Sequence, residues 1–584
     1  MQRVEGAKQQ EKIVVDDGAP SRSDATRYLC AGAYLDSDFA QAAIHAIVEE
    51  EHRAVGPSYG IDLRPILRHC LAARRRHAAQ ASAITATLLL NLLLFRLEAL
   101  SFILSIIFVW LAVRASERLR EGRGQMSLLR LFIRPLLYTW VAGMITLLLL
   151  GPFLLALAAA ASFEPSTVPL TPLSVAFREA LEIILIALVP YAIVFVGLVA
   201  RRLTLGTRLR KERFDPDDAP IVRDPRIQKH LERLGSEQYG NATVYSGYSP
   251  FLGAGDHVRT LFLPVRLEGQ PSTSMKPATS PPRAFQLSAL RDHIVERLGR
   301  MAIDELEPAA QFGELSIEDR VFAHGTVIRG DRRFLPDGHS RPVTTLAREE
   351  IEAVLHHPAE AVRHYTCVRI ASWEEEVVLS IFLHLTKTSH ALYVEATECL
   401  LLPIRKEYHL VDSLTPHPSQ LEFALLASRS LWALPQAIVR APVEVTRLLV
   451  SPARRAFSRA RLKQAIEHNM AFDFGTKISL REVAAAENFH NYFQDLDSNK
   501  HRNFALIYIL EAILKFLDDH GVDTSEYRVQ QQVILNSGLI MTGGRITTAA
   551  MGVGQQSTVR LSNAAERGSS AQNSRTSAGR RTAN

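Results

Sequence analysis

Apolar residues are concentrated in one block between residues 78 and 200, and polar stretches lie before and after it. A helix that crosses a bilayer needs about 17–25 mostly apolar residues. Two segments of the block meet this length. The two shorter ones are separated by Arg96 and Glu98, so we interpret them as a tight helical hairpin. The expected fold class is an α-helical transmembrane block of four helices, at about 78–95, 97–113, 135–161 and 180–200.

A second interpretation joins the first two segments into one long helix and leaves three spans. Arg96 would then lie near mid-bilayer, at a cost of about 2.5–3.5 kcal/mol on insertion scales. Arginine clusters precede, divide and follow the block, within residues 64–76, 114–134 and 201–213. Because positively charged loops stay in the cytoplasm, four spans fit these clusters and three do not. We expect a multi-pass protein of the plasma (inner) membrane with both termini in the cytoplasm.

Several arginines are expected at the membrane surface, where each contact with anionic headgroups contributes about 1 kcal/mol. Two of them lie in a basic, partly apolar stretch at residues 430–470. That stretch fits a helix lying on an anionic surface, and equally a packed helix with a solvated charged face. The residues assigned to the membrane surface are Arg74, Arg75, Arg76, Arg201, Arg202, Arg454 and Arg455.

The apolar segments contain almost no ionisable side chains, which transporters and proton relays need. Asn91 is the strongly polar residue of the first segment, and Pro190 interrupts the fourth. We interpret them as the source of an interhelical hydrogen bond and a helix kink. The alternative is an oligomeric pore lined by Asn91, Thr85 and Thr146.

The polar regions predict a large cytoplasmic part. Residues 377, 379, 381, 383 and 385 are apolar at period two, which is typical of a half-buried strand. We expect an α+β domain with an antiparallel sheet at its centre. The predicted order is a disordered leader (1–25), an N-terminal helical segment (26–77), the transmembrane block (78–200), the α+β domain (214–430), a helical region (431–524), a Gly-rich β segment (525–554) and a disordered tail (555–584). Within the β segment, strands at 533–554 would pair within or between chains.

A glycine-rich loop, Gly247–Gly255, follows a predicted strand at 242–246 and precedes another at about 259–267. Exposed backbone amides in such loops bind anions, although the spacing matches neither common phosphate-binding motif. Two interpretations stay open, a hairpin loop and a ligand or partner contact. The candidate ligand-binding residues are Gly247, Tyr248, Ser249, Gly253 and Gly255.

No arrangement in the sequence predicts a catalytic residue, a metal or a cofactor. A G-x-S-x-G nucleophile motif fails because Phe251 stands where the second glycine is needed. A calcium loop at 495–506 fails at Lys500 and Leu506. The histidines of the α+β region show no metal-binding spacing. Those considered are His356, His357, His364, His384, His390 and His409. An unrecognised enzyme site would draw on Ser246, Ser249 and His324.

Composition and charge exclude further classes. The 584 residues include 67 Lys and Arg and 61 Asp and Glu. The resulting net charge of +6 does not indicate nucleic-acid binding unless the charge is concentrated in one patch. The cysteines form no CxxC pair, so we expect free thiols in a reducing compartment instead of a disulfide framework. They are Cys30, Cys70, Cys367 and Cys399.

Several short stretches resemble a family of uncharacterised integral, multi-pass membrane proteins of actinobacteria. The resemblance covers residues 26 to 554 and includes a YSGYSPF motif at Tyr245–Phe251. It implies membrane placement and a bacterial host, and it transfers no site residue. The other matching stretches are Tyr28–Asp36, His52–Gly60, Arg363–Arg369 and Ile534–Gly538.

These observations favour a membrane-anchored cytoplasmic sensor or scaffold that binds a partner or ligand and carries no evident catalytic activity. One alternative is an oligomeric pore-forming effector gated by the cytoplasmic domain, and another is an enzyme with an unrecognised site. The expected partners are the lipid bilayer and either another protein or further copies of the chain, with no nucleic acid.

Overall fold

The structure is a computed structural model that describes residues 23–121, 171–270, 281–300, 314–337, 340–468 and 472–539. The chain divides into two units, residues 1–530 and 531–584. In chain order the helices are α1 (Asp24–Leu35), α2 (Ser37–Ala43), α3 (Leu63–Glu121), α4 (Thr171–Thr207), α5 (Pro225–Glu237), α6 (Leu287–Arg300), α7 (Arg348–His356), α8 (Leu410–Ser413), α9 (Gln420–His468), α10 (Leu480–Val483), α11 (Tyr492–Asp519) and α12 (Ser525–Leu539).

A six-stranded mixed sheet forms the centre of the domain, in the order β1-β3-β4-β5-β6-β2. The β1–β3 pair is parallel and the other neighbours are antiparallel, so the expected antiparallel meander is the greater part of the sheet. The strand with the predicted alternation, β5, is buried along almost its whole length. The strands are β1 (Ala242–Tyr245), β2 (Asp256–Arg266), β3 (Glu314–His324), β4 (Val362–Ser372), β5 (Val377–Lys387) and β6 (Ala391–Leu401).

The two faces of the sheet are covered differently. Helices α6, α7 and α11 pack on one face, where Arg291 of α6 lies 3.2 Å from the Asp319 carboxylate of β3. The other face is covered by two loops, residues 55–60 and the glycine-rich loop, whose Tyr59 and Phe251 join the aromatic core of that face. The four cysteines are buried and free, as the sequence predicted.

The hairpin interpretation of the glycine-rich loop is wrong. Strands β1 and β2 are the two opposite edges of the sheet, and three further strands, β4, β5 and β6, separate β3 from β2. Gly247–Gly255 therefore carries the chain across the sheet. Phe251 anchors the crossing, with its ring centroid 4.4 Å from that of Phe382 on β5.

The predicted four-helix transmembrane block is also wrong. The described residues contain two helices long and apolar enough to cross a membrane, Leu63–Arg96 and Ile186–Thr207. The first two predicted segments are parts of α3, which is interrupted at Arg96 by φ 33° and ψ −96°. Glycine and proline disfavour a helix, and neither follows Arg96 directly. The chain therefore returns to helical conformation after this one residue. The predicted segment at 135–161 lies outside the described residues.

Helices α3 and α4 run antiparallel. Arg76 Nη1 lies 2.7 Å from Thr204 Oγ1, and further along α3 the Asn91 amide donates a 3.1 Å hydrogen bond to the Ile186 carbonyl. The second contact confirms the interhelical hydrogen bond expected for Asn91. Only 22% of the residues in each 18-residue apolar window are buried.

Helix α9 packs against α3 and α4 and extends the helical region upstream of residue 431. Leu434, Ile438 and Ala441 face the other two helices, whereas Trp432 and Phe457 are 78% and 70% exposed. Three prolines lie inside the helix, at 435, 442 and 452. Residues 430–468 of the predicted stretch thus belong to one long helix, whose inner face is packed and whose outer face carries both apolar and basic side chains.

The ends of the described chain differ from prediction. The leader was expected to extend to residue 25, but α1 begins at Asp24, where the Ser23 hydroxyl caps it. Residues 525–539 form α12 where a β segment was expected. The reason is tertiary, because the Tyr527 hydroxyl donates a 2.9 Å hydrogen bond to the Leu510 carbonyl and docks the first turn on α11. The rest of the predicted β segment and the tail at 555–584 lie outside the described residues.

Candidate metal centre beside a polar pocket

A strained turn between β4 and β5 ends at Glu376. Three consecutive non-glycine residues have positive φ, namely Trp373 (54°), Glu374 (57°) and Glu375 (65°). Each such residue costs about 1–2 kcal/mol relative to a right-handed conformation. A run of this kind persists only where the surroundings determine it, and such strain is concentrated at functional sites.

The surroundings of the turn supply that support. Gly60 has φ +69°, and a Cβ at this position would lie 3.1 Å from Glu375 Oε2, so the loop at 55–60 packs directly on the turn. The fully buried Arg481 donates to the Glu376 carbonyl and, at 3.0 Å, to the Leu402 carbonyl. Burial lowers the pKa of Arg481 to about 10. The position of Glu376 is therefore fixed from two sides.

His409 ends a short 3-10 helix, Lys406–His409, and its ring faces the Glu376 carboxylate. The distance from His409 Nε2 to Glu376 Oε1 is 2.6 Å, and Nδ1 lies 3.2 Å from the Arg405 carbonyl oxygen. Burial lowers the pKa of His409, but the Glu376 hydrogen bond and charge outweigh it, so the pKa is raised. The Tyr28 ring packs against that of His409 in a tilted arrangement, with centroids 4.1 Å apart.

His490 completes the cluster from the loop before α11. Its ring centroid lies 5.2 Å from that of His409, and its main-chain amide donates a 2.9 Å hydrogen bond to Gln494 Oε1. Its Nε2 is buried and has no hydrogen-bond partner in the described part of the chain. Burial, followed by the charge of His409, lowers the pKa of His490.

One ligand atom from each of Glu376, His409 and His490 lies within 4.8 Å of the other two. Two imidazoles and a carboxylate form a ligand set suited to divalent transition metals. The sequence predicted no metal, and it did not single out Glu376 or His490. No local motif could have shown the cluster, because the residues come from a strand turn, a 3-10 helix and an interhelical loop.

Tyr28, which contacts His409, also lines a polar pocket of about 430 Å³. The buried Arg27 pairs with Asp24 at 2.8 Å and with Asp412 at 2.6 Å, and Lys211 reaches Asp24 at 2.6 Å. The Tyr28 hydroxyl donates a 2.7 Å hydrogen bond to Asp412, and burial together with that bond raises the pKa of Tyr28. The pocket is lined by Arg27, Tyr28, Arg210, Lys211, Glu212, Asp412, Ser413, Leu414, Thr415 and Pro416.

The amides predicted to bind a ligand in the glycine-rich loop already hold a carboxylate of this chain. Gly253 N and Gly255 N donate to Glu482 Oε1 at 2.6 and 3.0 Å. The anion-binding chemistry expected of the loop is present, but it closes the loop onto α10. Gly247, Tyr248 and Ser249 at the start of the loop are exposed.

The candidate catalytic residues have separate environments. Ser246 hydrogen-bonds the Asp473 carboxylate, and His324 Nδ1 pairs with Thr326 Oγ1 at 2.7 Å. Ser249 is exposed on the loop. These contacts fix a loop and a strand end.

The arginines assigned to the membrane surface have mixed environments. Arg74 pairs with Glu49 at 2.9 Å, and Arg76 contacts Thr204. Arg202 is buried and lies 3.0 Å from Glu422, so its side chain is paired with a protein carboxylate. The side chain of Arg455 is outside the described ones, Arg201 is half-buried, and the exposed members are Arg75, Arg76 and Arg454.

Fold and site define a chain with two candidate membrane helices and a mixed-sheet domain that carries a His–His–Glu cluster next to a polar pocket. The chain belongs to the family of the AbeC-like domain, whose model matches residues 206–548. The matched range includes the YSGYSPF motif, strands β4 and β5, and the three cluster residues Glu376, His409 and His490. No curated protein and no solved structure matches the chain.

Proposed function

We propose that the protein is a membrane-anchored sensor or scaffold whose sheet domain binds a small polar ligand or a partner at the cytoplasmic face of the inner membrane. The observation that carries this proposal is the composition of the pocket wall. Arg210, Lys211 and Glu212 follow directly after α4, whereas Asp412–Pro416 lead into α9. One bound ligand would contact both connections between the sheet domain and the apolar helices.

The surface of α3 and α4 supports membrane anchoring. Leu89, Leu93 and Leu94 of α3 are more than half exposed, as is Leu188 of α4. An apolar band of this kind is unusual on a soluble monomer and typical of a surface that meets lipid or another protein. The basic ends of the two helices meet at Arg76 and Thr204, and by the positive-inside rule this supports the proposal that this end and the sheet domain face the cytoplasm.

The pocket has the size and chemistry of a ligand site. Its volume of about 430 Å³ falls within the range of about 300–1,000 Å³ that is usual for small-molecule sites. The ion pairs of Arg27 with Asp412 and of Lys211 with Asp24 join the end of α4 to α1 and α8. A polar ligand that replaces these pairs would change the connection between membrane helices and sheet domain, which is the event a sensor needs.

Two measurements test the proposal. Alkaline carbonate extraction of membranes should leave the full chain in the pellet, and release into the supernatant would contradict anchoring. Native mass spectrometry of the detergent-solubilised chain should show a bound small molecule or protein in stoichiometric amount. Ser413→Trp, which fills the pocket, should remove the bound mass, and Ser249→Trp in the exposed glycine-rich loop is the matched control. Equal binding by both variants would assign the ligand elsewhere.

A further inference from the structure

We propose that Glu376, His409 and His490 bind one divalent transition-metal ion of the zinc class. The ligands are one carboxylate oxygen and one ring nitrogen of each histidine, which already lie within 4.8 Å of one another. This inference is independent of what occupies the polar pocket, because it depends only on these three side chains and the residues that position them.

His409 is positioned in the way that metal-binding histidines are. Its Nδ1 faces the Arg405 carbonyl oxygen at 3.2 Å, which places the Nδ1 proton there and directs Nε2 towards Glu376. A hydrogen bond from the second ring nitrogen to a main-chain carbonyl is the usual support of a metal ligand, since it fixes both tautomer and ring orientation. When a metal binds, it replaces the proton between His409 Nε2 and Glu376 Oε1, so binding releases a proton.

His490 supplies an independent sign of a missing ligand. Its Nε2 is buried and unpaired among the described residues. A buried polar atom without a partner costs about 1–3 kcal/mol, so such atoms are uncommon in folded proteins. A cation coordinated within this cluster would remove the need for a protein partner there.

The support of Glu376 explains why strain is maintained at the turn. Trp373 Nε1 donates a 3.2 Å hydrogen bond to Asp497 Oδ2 on α11, close in sequence to His490. Together with Gly60 and Arg481, this contact fixes the turn with respect to the loop that carries His490. The three ligands are thus held by connected elements, which is the condition for a precise metal site.

The ligand set also limits which metals fit. Zinc bonds to histidine nitrogen and carboxylate oxygen are about 2.0–2.2 Å long, so the ligand atoms must lie roughly 3.4 Å from one another when the metal is bound. His409 Nε2 and Glu376 Oε1, now 2.6 Å apart, must therefore separate to admit the ion. Calcium and magnesium prefer all-oxygen sites, whereas two imidazoles favour zinc, iron, cobalt or nickel. Three protein ligands leave a fourth position for water or a bound ligand.

The test uses the full chain in detergent, treated with a chelator and then titrated with Zn²⁺ alone. We expect one Zn²⁺ per chain by elemental mass spectrometry, and Co²⁺ substitution should give the absorption bands of a tetrahedral site. His490→Ala and Glu376→Gln should each lower the affinity by at least about 10-fold. His390→Ala, in the exposed β5–β6 turn, is the matched control and should bind as the wild type does.

Two results would overturn the inference. One is a wild-type chain that takes up no stoichiometric Zn²⁺. The other is Zn²⁺ uptake with unchanged affinity in His490→Ala and Glu376→Gln, which would assign the metal to other groups. Circular dichroism of each variant excludes unfolding as the cause of a loss, and the isosteric Glu376→Gln variant keeps the test valid where His490→Ala does not fold.

Discussion

The side-chain amide of Asn91 donates a hydrogen bond to the carbonyl of Ile186, at an Nδ2–O distance of 3.1 Å. In a regular α-helix this carbonyl would accept from the amide of residue 190, but residue 190 is a proline and has no N–H. Asn91 of α3 therefore provides the donor that α4 lacks. The polar residue and the proline, separate features in the sequence, form one structural unit.

Replacing Asn91 by leucine should weaken the α3–α4 contact by about 1 kcal/mol, because the Ile186 carbonyl loses its donor in an apolar setting. The measurement is the unfolding midpoint of the full chain on titration of its detergent micelles with a denaturing detergent. In a Pro190→Ala background the helix supplies its own donor, so Asn91→Leu should have a smaller effect there. An equal loss in both backgrounds would mean that the asparagine stabilises the pair in another way.

Substitutions of Glu482 can distinguish the stability that comes from its hydrogen bonds to the glycine-rich loop from the effect of its charge. Burial raises the pKa of Glu482 more than the amides of Gly255 and Gly253 lower it. Glu482→Gln keeps an acceptor without the charge, so at neutral pH it should be at least as stable as the wild type. Glu482→Ala should lose about 1–3 kcal/mol, because two amides become unpaired. Chemical denaturation measures the free energy of unfolding of both Glu482 variants. Glu487→Ala, at an exposed position, is the control. Equal destabilisation by both Glu482 variants would contradict this account.

Two glycines of the same loop test close packing directly. Gly247 and Gly255 both have φ +85°, but a Cβ at Gly247 has nothing within 4 Å, whereas one at Gly255 lies 2.3 Å from the Leu400 carbonyl oxygen. Gly247→Ala should lower the free energy of unfolding by about 1–2 kcal/mol, because alanine disfavours a positive φ. Gly255→Ala should cost about 1–3 kcal/mol more through the steric clash. The comparison is made by thermal unfolding, and similar losses would show that the loop moves away from β6 freely.

Asp319 should make part of the stability depend on pH. Burial alone would raise the pKa of this carboxyl. The 2.9 Å hydrogen bond with His364 and the charge of Arg291 have the larger, opposite effect, so the pKa is lowered below its usual 3.8. A carboxyl whose pKa is lower in the folded state stabilises the fold above its unfolded pKa and loses this effect as the pH falls through the folded value. Asp319→Asn should therefore be less stable than the wild type at pH 6 and nearly equal to it at about pH 2–3.

The measurement for Asp319 is the free energy of unfolding across this acid range. Asp256→Asn, at the exposed start of β2, is the matched control, since no ion pair to this carboxylate is present among the described residues. A constant difference between Asp319→Asn and the wild type at every pH would show that the loss is one of packing and not of charge.

Local pattern was a good guide where local interactions decide the structure. The alternation at Val377–Leu385 predicted β5, and the apolar run at 180–200 predicted a candidate span within α4. The break at Arg96 was visible in the sequence, but the sequence did not show that α3 resumes after this single non-helical residue. The crossing of the glycine-rich loop depends on Phe251 meeting residues of β3, β4 and β5, and no local signal contains that information.

The candidate metal centre could not be predicted for a related reason. Glu376, His409 and His490 are each unremarkable in their local sequence, and their meeting depends on the turn that Arg481 and Gly60 hold. The glycine-rich loop shows the opposite case. Its anion-binding character was visible in the sequence, but Glu482 is far away along the chain and had to be brought there by the fold.

The loop at 55–60 has a consequence for how the chain is made. Ala54 N donates to the Phe474 carbonyl, Tyr59 lies in the aromatic core of the sheet, and a Cβ on Gly253 would come within 2.8 Å of the Pro57 carbonyl. The apolar helices are thus an insertion within a single folding unit. During synthesis Arg53 leaves the ribosome before the apolar helices, and the Gly475 carbonyl that accepts its hydrogen bond is made 422 residues later. A fragment that begins at residue 206 lacks one cover of its own sheet, so the family match does not mark an autonomous domain.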